Sequence, residues 1–390
     1  MGTVAKWVLL LIVASLAAPV AIMAAAPINT ALDGQAGSVP IDEIERYWHK
    51  LYNEYGGYFP DNRAPGMKEM LATGGEGFGL GRMLEGLARY FFHELLHNGK
   101  LLASIIVLTV FSAVLQTLQS AFERQTVSKA AYAICYMVIM IIAINSFSVA
   151  IGYAKTAIAN MIHFMTAMIP LLLTLLASIG NIATVSVLHP LIVFMVHAVG
   201  TLIYTIVFPL LFFSAVLHIV SSLSDKYKVT QLADLLRSIS MAVLGVLLTA
   251  FLGVITIQGA TSAVTDGVTI RTAKYITGNF VPIVGKMFTD AADTVISASL
   301  LIKNAVGLIG VLILVLLSAF PAIKILSLAI IYNLAGALMQ PLGDSVIVRC
   351  LQTIGKSLVY VFAALAAVGL MFFLAMTIII ASGNVAVMMR

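Results

Sequence analysis

From residue 101 onward the chain is a succession of apolar stretches, each long enough to cross a hydrocarbon layer as a helix of about 20 residues. They lie near 101–120, 130–153, 157–178, 191–219, 238–257, 300–319, 322–340 and 357–381. The pattern predicts an all-α polytopic membrane helix bundle of about 6–8 spans. Pro170 and Pro209 are expected to kink their helices, and the backbone groups so freed need protein or water as partners. The stretch 157–178, which holds His163, reads either as a full crossing or as a re-entrant hairpin. Pro321 and Lys324 divide 300–319 from 322–340, or else mark one long broken helix.

Ahead of this body the pattern changes twice. Lys6 precedes an apolar run, Trp7–Ala21, and then small residues, Ala24-Ala25-Ala26, before Pro27. That order predicts a signal sequence over 1–26, with an uncleaved anchor as the alternative. Either way the next segment begins outside the cytoplasm. Residues 27–100 are the one long polar part and predict a small extracytoplasmic region of amphipathic helices. Asp42 can cap a helix with an apolar stripe of Ile44, Trp48, Leu51 and Tyr55, which Gly56, Gly57 and Pro60 stop. The glycine-rich stretch Gly74–Gly81 lacks the strand before it and the Lys-Ser/Thr ending of a phosphate loop, so it reads as a linker. A second helix is expected over 82–98, with Leu84, Leu87, Phe91 and Leu95 on its apolar side, lying along the membrane surface.

Orientation is partly legible. An outside start makes the loop with Arg124 and Lys129 cytoplasmic, as the excess of cations on cytoplasmic loops predicts. The loop with Lys226, Lys228 and Arg237 falls outside if 157–178 crosses fully, and inside if that stretch is re-entrant.

The segment 258–299 is too polar to span and too apolar for a plain loop, and predicts an amphipathic, possibly re-entrant element within the multispan domain 101–390. It holds Lys286, Asp290 and Asp293, and it runs into an apolar helix that takes up Lys303 and Asn304. Ionisable groups at membrane depth are costly and usually face a bundle interior or a water-filled path. These five residues are therefore the candidates for pore lining or coupling. The bland alternative for Lys303 is a side chain that snorkels to the interface. Gly307 and Gly310, with Ala305, form a small-residue face for close helix packing.

His93-Glu94-Leu95-Leu96-His97 fits the H-E-x-x-H pattern, in which two imidazoles one turn apart hold zinc and the glutamate activates a water. Arg82, Arg89 and Lys100 share that face and repel a metal ion, and no third ligand follows at a familiar spacing. His93 and His97 are thus weak metal candidates beside the expectation of none.

Composition narrows the remaining choices. Hydrophobic residues make up 61% of the chain and charged residues 10%, against about 25% charged in soluble domains. The formal charge of +5 is spread without a basic block, which speaks against nucleic-acid binding. Cys135 and Cys350 are isolated and read as packing residues, giving neither a zinc set nor a disulfide framework. With no nucleotide loop, haem-attachment motif or Ser-His arrangement, no cofactor and no catalysis are expected. Energy for any transport would come from another subunit or an ion gradient.

Four stretches resemble the stage III sporulation protein AE family of endospore-forming bacteria. They are Tyr47-Trp48 with Glu54–Pro60; Leu173–Pro190 with Ala177-Ser178-Ile179-Gly180-Asn181; Tyr227-Lys228-Val229 with Leu232–Leu236; and Gly278–Lys286, continuing through Asp290 and Asp293-Thr294-Val295 to Lys303–Gly307. The resemblance covers nearly the whole chain, and the fourth stretch is the most specific. It implies a sporulation protein in the mother-cell membrane around the forespore. It also implies membership of a channel or secretion-like apparatus needed for late forespore development. The implied partners are the other stage III A membrane proteins, including a companion ATPase, and indirectly stage II sporulation protein Q. The family implies no catalytic residues. Two other readings stay open from the residues alone: a stand-alone small-molecule transporter, and a membrane zinc peptidase using His93, Glu94 and His97.

Overall fold

In the computed structural model, the described residues are 42–58, 80–121, 126–223, 229–280, 284–342 and 346–388. The expected signal sequence, 1–26, lies outside them. The described residues are helical apart from short turns. They form α1 (Asp42–Tyr55), α2 (Leu80–His97), α3 (Gly99–Ala121), α4 (Thr126–Ser178), α5 (Ile182–Leu202), α6 (Phe208–Leu223), α7 (Thr230–Phe280), α8 (Val284–Met339) and α9 (Val346–Met388). A π-helical turn, Ile203–Val207, joins α5 to α6 just before Pro209, whose missing N–H cannot continue the ladder.

Six helical stretches among the described residues are long and apolar enough to cross a membrane: Gly81–Leu115, Ala130–Ser178, Ile182–Ser221, Thr230–Thr269, Ser299–Met339 and Val346–Asn384. Two pairs of expected spans fuse. Stretches 130–153 and 157–178 are one helix, α4, so 157–178 is not a re-entrant hairpin. Stretches 300–319 and 322–340 are one helix, α8, which runs through Pro321. Part of the segment 258–299 likewise continues α7 as far as Phe280. The sequence marks no stop at these joints beyond a single proline or a few polar residues. Packing on both sides holds such a helix together where propensity alone would let it break.

The order of hairpins gives the bundle two ends. The last turns of α3, α6 and α8 and the first turns of α4, α7 and α9 lie at one end, called lower here. The turn 179–181, the end of α7 and the start of α8 belong to the upper end. Cross-helix contacts fix the heights. Near the lower end Tyr136 donates to the Ile219 carbonyl at 3.2 Å, Ser214 to the Ala233 carbonyl at 2.7 Å, and Tyr332 to Ser146 at 2.8 Å. At mid-height Tyr204 donates to the Lys155 carbonyl at 2.7 Å. Higher up, Phe251 packs on Phe372. Because α4 is a single helix, the end of α6 and the start of α7 lie at the same end as the start of α4. The sequence places Arg124 and Lys129 beside one of these joints and Lys226 and Lys228 beside the other, a pattern that agrees with the excess of cations on cytoplasmic loops.

The core is continuous from end to end. Helices α8 and α9 are central, and Phe320, Tyr332, Leu351, Leu365 and Phe372 are fully buried. Small residues permit the close approach of backbones. A Cβ on Gly307 would lie 2.6 Å from Ile380 Cδ1, and one on Gly310 2.4 Å from Met168 Cε. Alanine at either point would require the tip of Ile380 or Met168 to shift.

Helix α1 buries Ile44, Trp48 and Leu51, as the spacing predicts, and stacks Tyr55 on Phe320 with centroids 4.0 Å apart. Helix α2 differs from expectation. Its buried face is Met83, Leu87, Tyr90 and Glu94, while Leu84 is exposed. Tyr90 and Glu94 find hydrogen-bond partners inside, so their polar tips can be buried at little cost. The face that meets the bundle is thereby rotated away from the purely apolar stripe. The helix packs against α8 through Phe320 and Lys324.

Candidate functional site

The upper end gathers buried polar side chains from every long helix that reaches it. Helix α4 ends at Gly180, whose φ of 93° lies in the left-handed region that favours glycine. The Asn181 N–H then bonds back to the Leu176 carbonyl at 3.1 Å, a turn that closes the helix C-terminus. Asn181 stands at the start of α5 but does not cap it with its side chain. Asp266 of α7 does that from outside. Its two carboxylate oxygens accept the Ala183 and Thr184 N–H groups, each at 2.8 Å. The first-turn N–H groups of a helix lack internal partners, and a carboxylate there also meets the positive end of the helix dipole. Two turns of chain far apart in sequence are joined in this way.

Lys303 of α8 is fully buried. It does not snorkel. Its Nζ donates to the Ile380 carbonyl at 2.8 Å and to Asn384 Oδ1 at 2.9 Å, both on α9. An ammonium has three N–H groups, and both of these acceptors are neutral. Gly383 of α9 makes the room. A Cβ there would lie 2.5 Å from Lys303 Nζ, 2.5 Å from Leu176 Cδ2 and 3.5 Å from Asn181 Nδ2. Lys303 and Asn181 therefore approach one point. Both side-chain polar atoms of Asn181 are buried there without a hydrogen-bond partner in the structure, as are Thr184 Oγ1 and Asn304 Oδ1 elsewhere at this end. Unsatisfied groups of this kind are rare in protein interiors and mark places where water or a polar guest is accommodated.

The expected candidates divide accordingly. Lys303 belongs to this cluster, and Asn304 follows it on α8 with its Oδ1 buried. Lys286, Asp290 and Asp293 lie on the first turns of α8, and their side chains fall outside the described residues. Gly307 and Gly310 sit one and two turns below Lys303, against α9 and α4. Sequence reasoning did not single out Asp266, Thr184, Gly383 or Asn384. The available signal was an isolated polar residue within an apolar run, which each of the three polar members shows.

His93 and His97 are exposed on α2, with rings 6.0 Å apart, and the Tyr58 hydroxyl meets His93 Nδ1 at 3.0 Å. Glu94 points the other way, into the bundle. It accepts from Tyr90 at 3.0 Å and Asn98 at 3.1 Å, and lies 3.6 Å from Lys324 Nζ. A glutamate so engaged is turned away from any metal held by the two imidazoles. Among the described residues no group of three His, Cys, Asp or Glu is placed to hold a metal ion.

A model of the stage III sporulation protein AE family matches residues 64–383, which include the upper cluster except Asn384. The chain belongs to the stage III sporulation protein AE family. It is also similar to stage III sporulation protein AE of Bacillus subtilis (strain 168), with 54% identity over 355 residues, covering 91% of this chain and 89% of that protein. No solved structure matches the chain. Family membership and the six membrane-capable helices make this a multi-pass membrane protein of sporulation. The four stretches that carry the resemblance map onto α1, the α4–α5 turn, the start of α7 and the α7–α8 junction.

Proposed function

We propose that this protein is an integral-membrane subunit of the channel or secretion-like apparatus between mother cell and forespore, needed for late forespore development. It would reside in the mother-cell membrane surrounding the forespore. Its partners would be the other stage III A membrane proteins, with a companion ATPase supplying energy and stage II sporulation protein Q reached indirectly. The reading assigns it no catalysis of its own.

The observation that carries this reading is the match to the stage III AE family over most of the chain. The Lys303 cluster supports it. A buried ammonium with neutral partners costs stability, and its retention beside unpartnered amide groups fits a working polar site rather than a packing element. The engagement of Glu94 by Tyr90, Asn98 and Lys324 speaks against a zinc peptidase.

The test is recovery of the tagged protein from sporulating cells in a gentle detergent, followed by structure determination of what comes with it. Co-purification of the other stage III A proteins in fixed proportion is the expected result. A protein that purifies alone, and that moves a small solute when reconstituted by itself into vesicles, would establish the transporter reading instead.

A further inference from the structure

The long helices are about twice as long as a bilayer is thick. Helix α4 has 53 residues, or about 80 Å at 1.5 Å per residue, against about 30 Å of hydrocarbon. Helices α7, α8 and α9 have 51, 56 and 43 residues. Tilts of the usual size absorb only a small part of such an excess.

On α4 the exposed side chains change character at mid-height. In the lower half Ile134, Met137, Val138 and Ile141 are large and apolar, as are Val107, Val110, Phe111 and Val114 on α3. In the upper half of α4 the exposed positions are Gly152, Lys155, Thr156, His163, Thr166, Pro170, Thr174, Ala177 and Ser178. None is a large hydrophobic residue. The high hydropathy of that half comes from residues turned inward, such as Met161, Phe164, Met165, Met168 and Leu172. Helix α5 exposes His189 and His197 beside Ile182, Val187 and Phe194, and upper α7 exposes Thr261, Thr265 and Thr269 beside Ile257, Val264 and Val268.

The charged helices α1 and α2 mark where the change falls. Lys50 donates to Asn160 at 3.5 Å, and Tyr47 packs edge-on to Phe164. Glu94 meets Lys324, whose Nζ lies 4.5 Å from the centre of the Tyr153 ring. The outer surfaces of α1 and α2 carry exposed ion pairs, Glu45 with His49 and Glu85 with Arg89. Surfaces of this kind belong in water or among headgroups. They flank the bundle from the height of residue 153 upward, so the acyl chains reach no further.

We infer that the bilayer surrounds only the lower half of the bundle, and that the upper half stands clear of it in the extracytoplasmic space. The lipid belt runs over α3, residues 130–150 of α4, α6, residues 230–248 of α7, and the halves of α8 and α9 that join at 343–345. Its height is about 30 Å. Arg349, three residues into α9, borders it below, and Arg237, which lies within it, is paired with Asp234. Placing the upper half in lipid instead would set His163, His189 and His197 against acyl chains at considerable cost. The polar cluster of Lys303, Asn181 and Asp266 is thereby carried about 35 Å beyond the membrane surface, into the space this protein faces. The inference stands on geometry and does not depend on the channel reading.

The test uses the full chain purified into lipid nanodiscs, without partners. Cys135 and Cys350 are replaced by alanine, and single cysteines are placed at Thr166, Ser186 and Thr265 in the upper half and at Val110 and Val138 in the lower. Lys50→Cys on α1 is the aqueous reference. Each site is reacted with a charged, water-soluble maleimide and, separately, carries a nitroxide probed for collision with a water-soluble nickel complex and with oxygen. The three upper sites are expected to label like Lys50→Cys and to relax with nickel. The two lower sites are expected to lose labelling and to relax with oxygen. Upper sites that resist the maleimide and relax with oxygen would place that half in lipid and overturn the inference. Three sites on different helices guard against one variant that misfolds, and the nitroxide assigns each site to one medium or the other.

Discussion

Glu94 and Lys324 lie 3.6 Å apart and tie α2 to the middle of α8 across more than half the chain. Glu94 is almost wholly enclosed, while Lys324 keeps part of its side chain in solvent and lays its Nζ over the Tyr153 ring. Removing one partner leaves a buried charge short of its counter-ion. Lys324→Met is therefore expected to destabilise the protein by about 1–3 kcal/mol, a figure reduced for the exposure of Lys324. Glu94→Leu combined with Lys324→Met should recover part of that loss. Thermal unfolding of the three proteins in one detergent measures both changes.

The same glutamate separates two views of the H-E-x-x-H sequence. Glu94→Gln keeps one acceptor oxygen, for either Tyr90 or Asn98, but cannot act as a general base. Spore yield close to that of the parent is expected. A yield that collapses while the protein still accumulates and unfolds normally would revive the peptidase reading.

Lys303→Met retains length and apolar bulk but removes the donors to the Ile380 carbonyl and Asn384 Oδ1. Exchanging a buried ion for an apolar isostere is often neutral for folding, or even stabilising. The protein is expected to accumulate normally in the membrane while spore maturation fails. Asp293→Ala, nearer the start of the same helix, is expected to behave likewise. Heat-resistant spore counts beside immunoblots of membrane fractions test both, and parental counts from both variants would remove any functional role for this end of the bundle.

The helical class and the membrane setting were legible because they rest on composition and on runs of apolar residues that no local detail can mask. The stripe Ile44, Trp48 and Leu51 was legible for the same reason, as one period repeated over a short helix. The joints were not. Whether 153–157 or Pro321 breaks a helix depends on how tightly neighbours hold the backbone, and that is decided by residues far away, such as Gly369, where a Cβ would meet Ser318 Cβ at 2.9 Å. The face of α2 was misjudged because Tyr90 and Glu94 look like surface residues until Asn98 and Lys324 stand beside them. The Lys303 cluster was half legible. A lysine in an apolar run signals itself, but Asp266 reaching the start of α5 is a relation between positions 83 residues apart, and nothing local in either segment announces it.

That relation carries its own expectation. Asp266 holds two N–H groups at the first turn of α5 and is itself almost wholly buried. Asp266→Asn loses the charge at the helix N-terminus and one of two acceptors, turning an NH2 group toward a backbone N–H. A loss of about 1–3 kcal/mol is expected.

The tightest point of the upper cluster gives the sharpest contrast. A methyl group on Gly383 would meet Lys303 Nζ and Leu176 Cδ2, each at 2.5 Å. Lys303 is pinned by two hydrogen bonds and Leu176 is fully buried, so neither can withdraw without loss. Gly383→Ala should therefore destabilise the protein by about 1–3 kcal/mol through overpacking. Gly245 on the outer face of α7 has nothing within 4 Å of its would-be Cβ. There Gly245→Ala should stabilise the helix by about 0.5–1 kcal/mol, the ordinary difference between the two residues in a helix interior. The two substitutions add the same atom, so opposite shifts in unfolding temperature would isolate the packing around Lys303 as the cause. A Gly383→Ala protein as stable as the parent would mean that Lys303 is free to move away, and that the upper cluster is looser than the contacts at Gly383 imply.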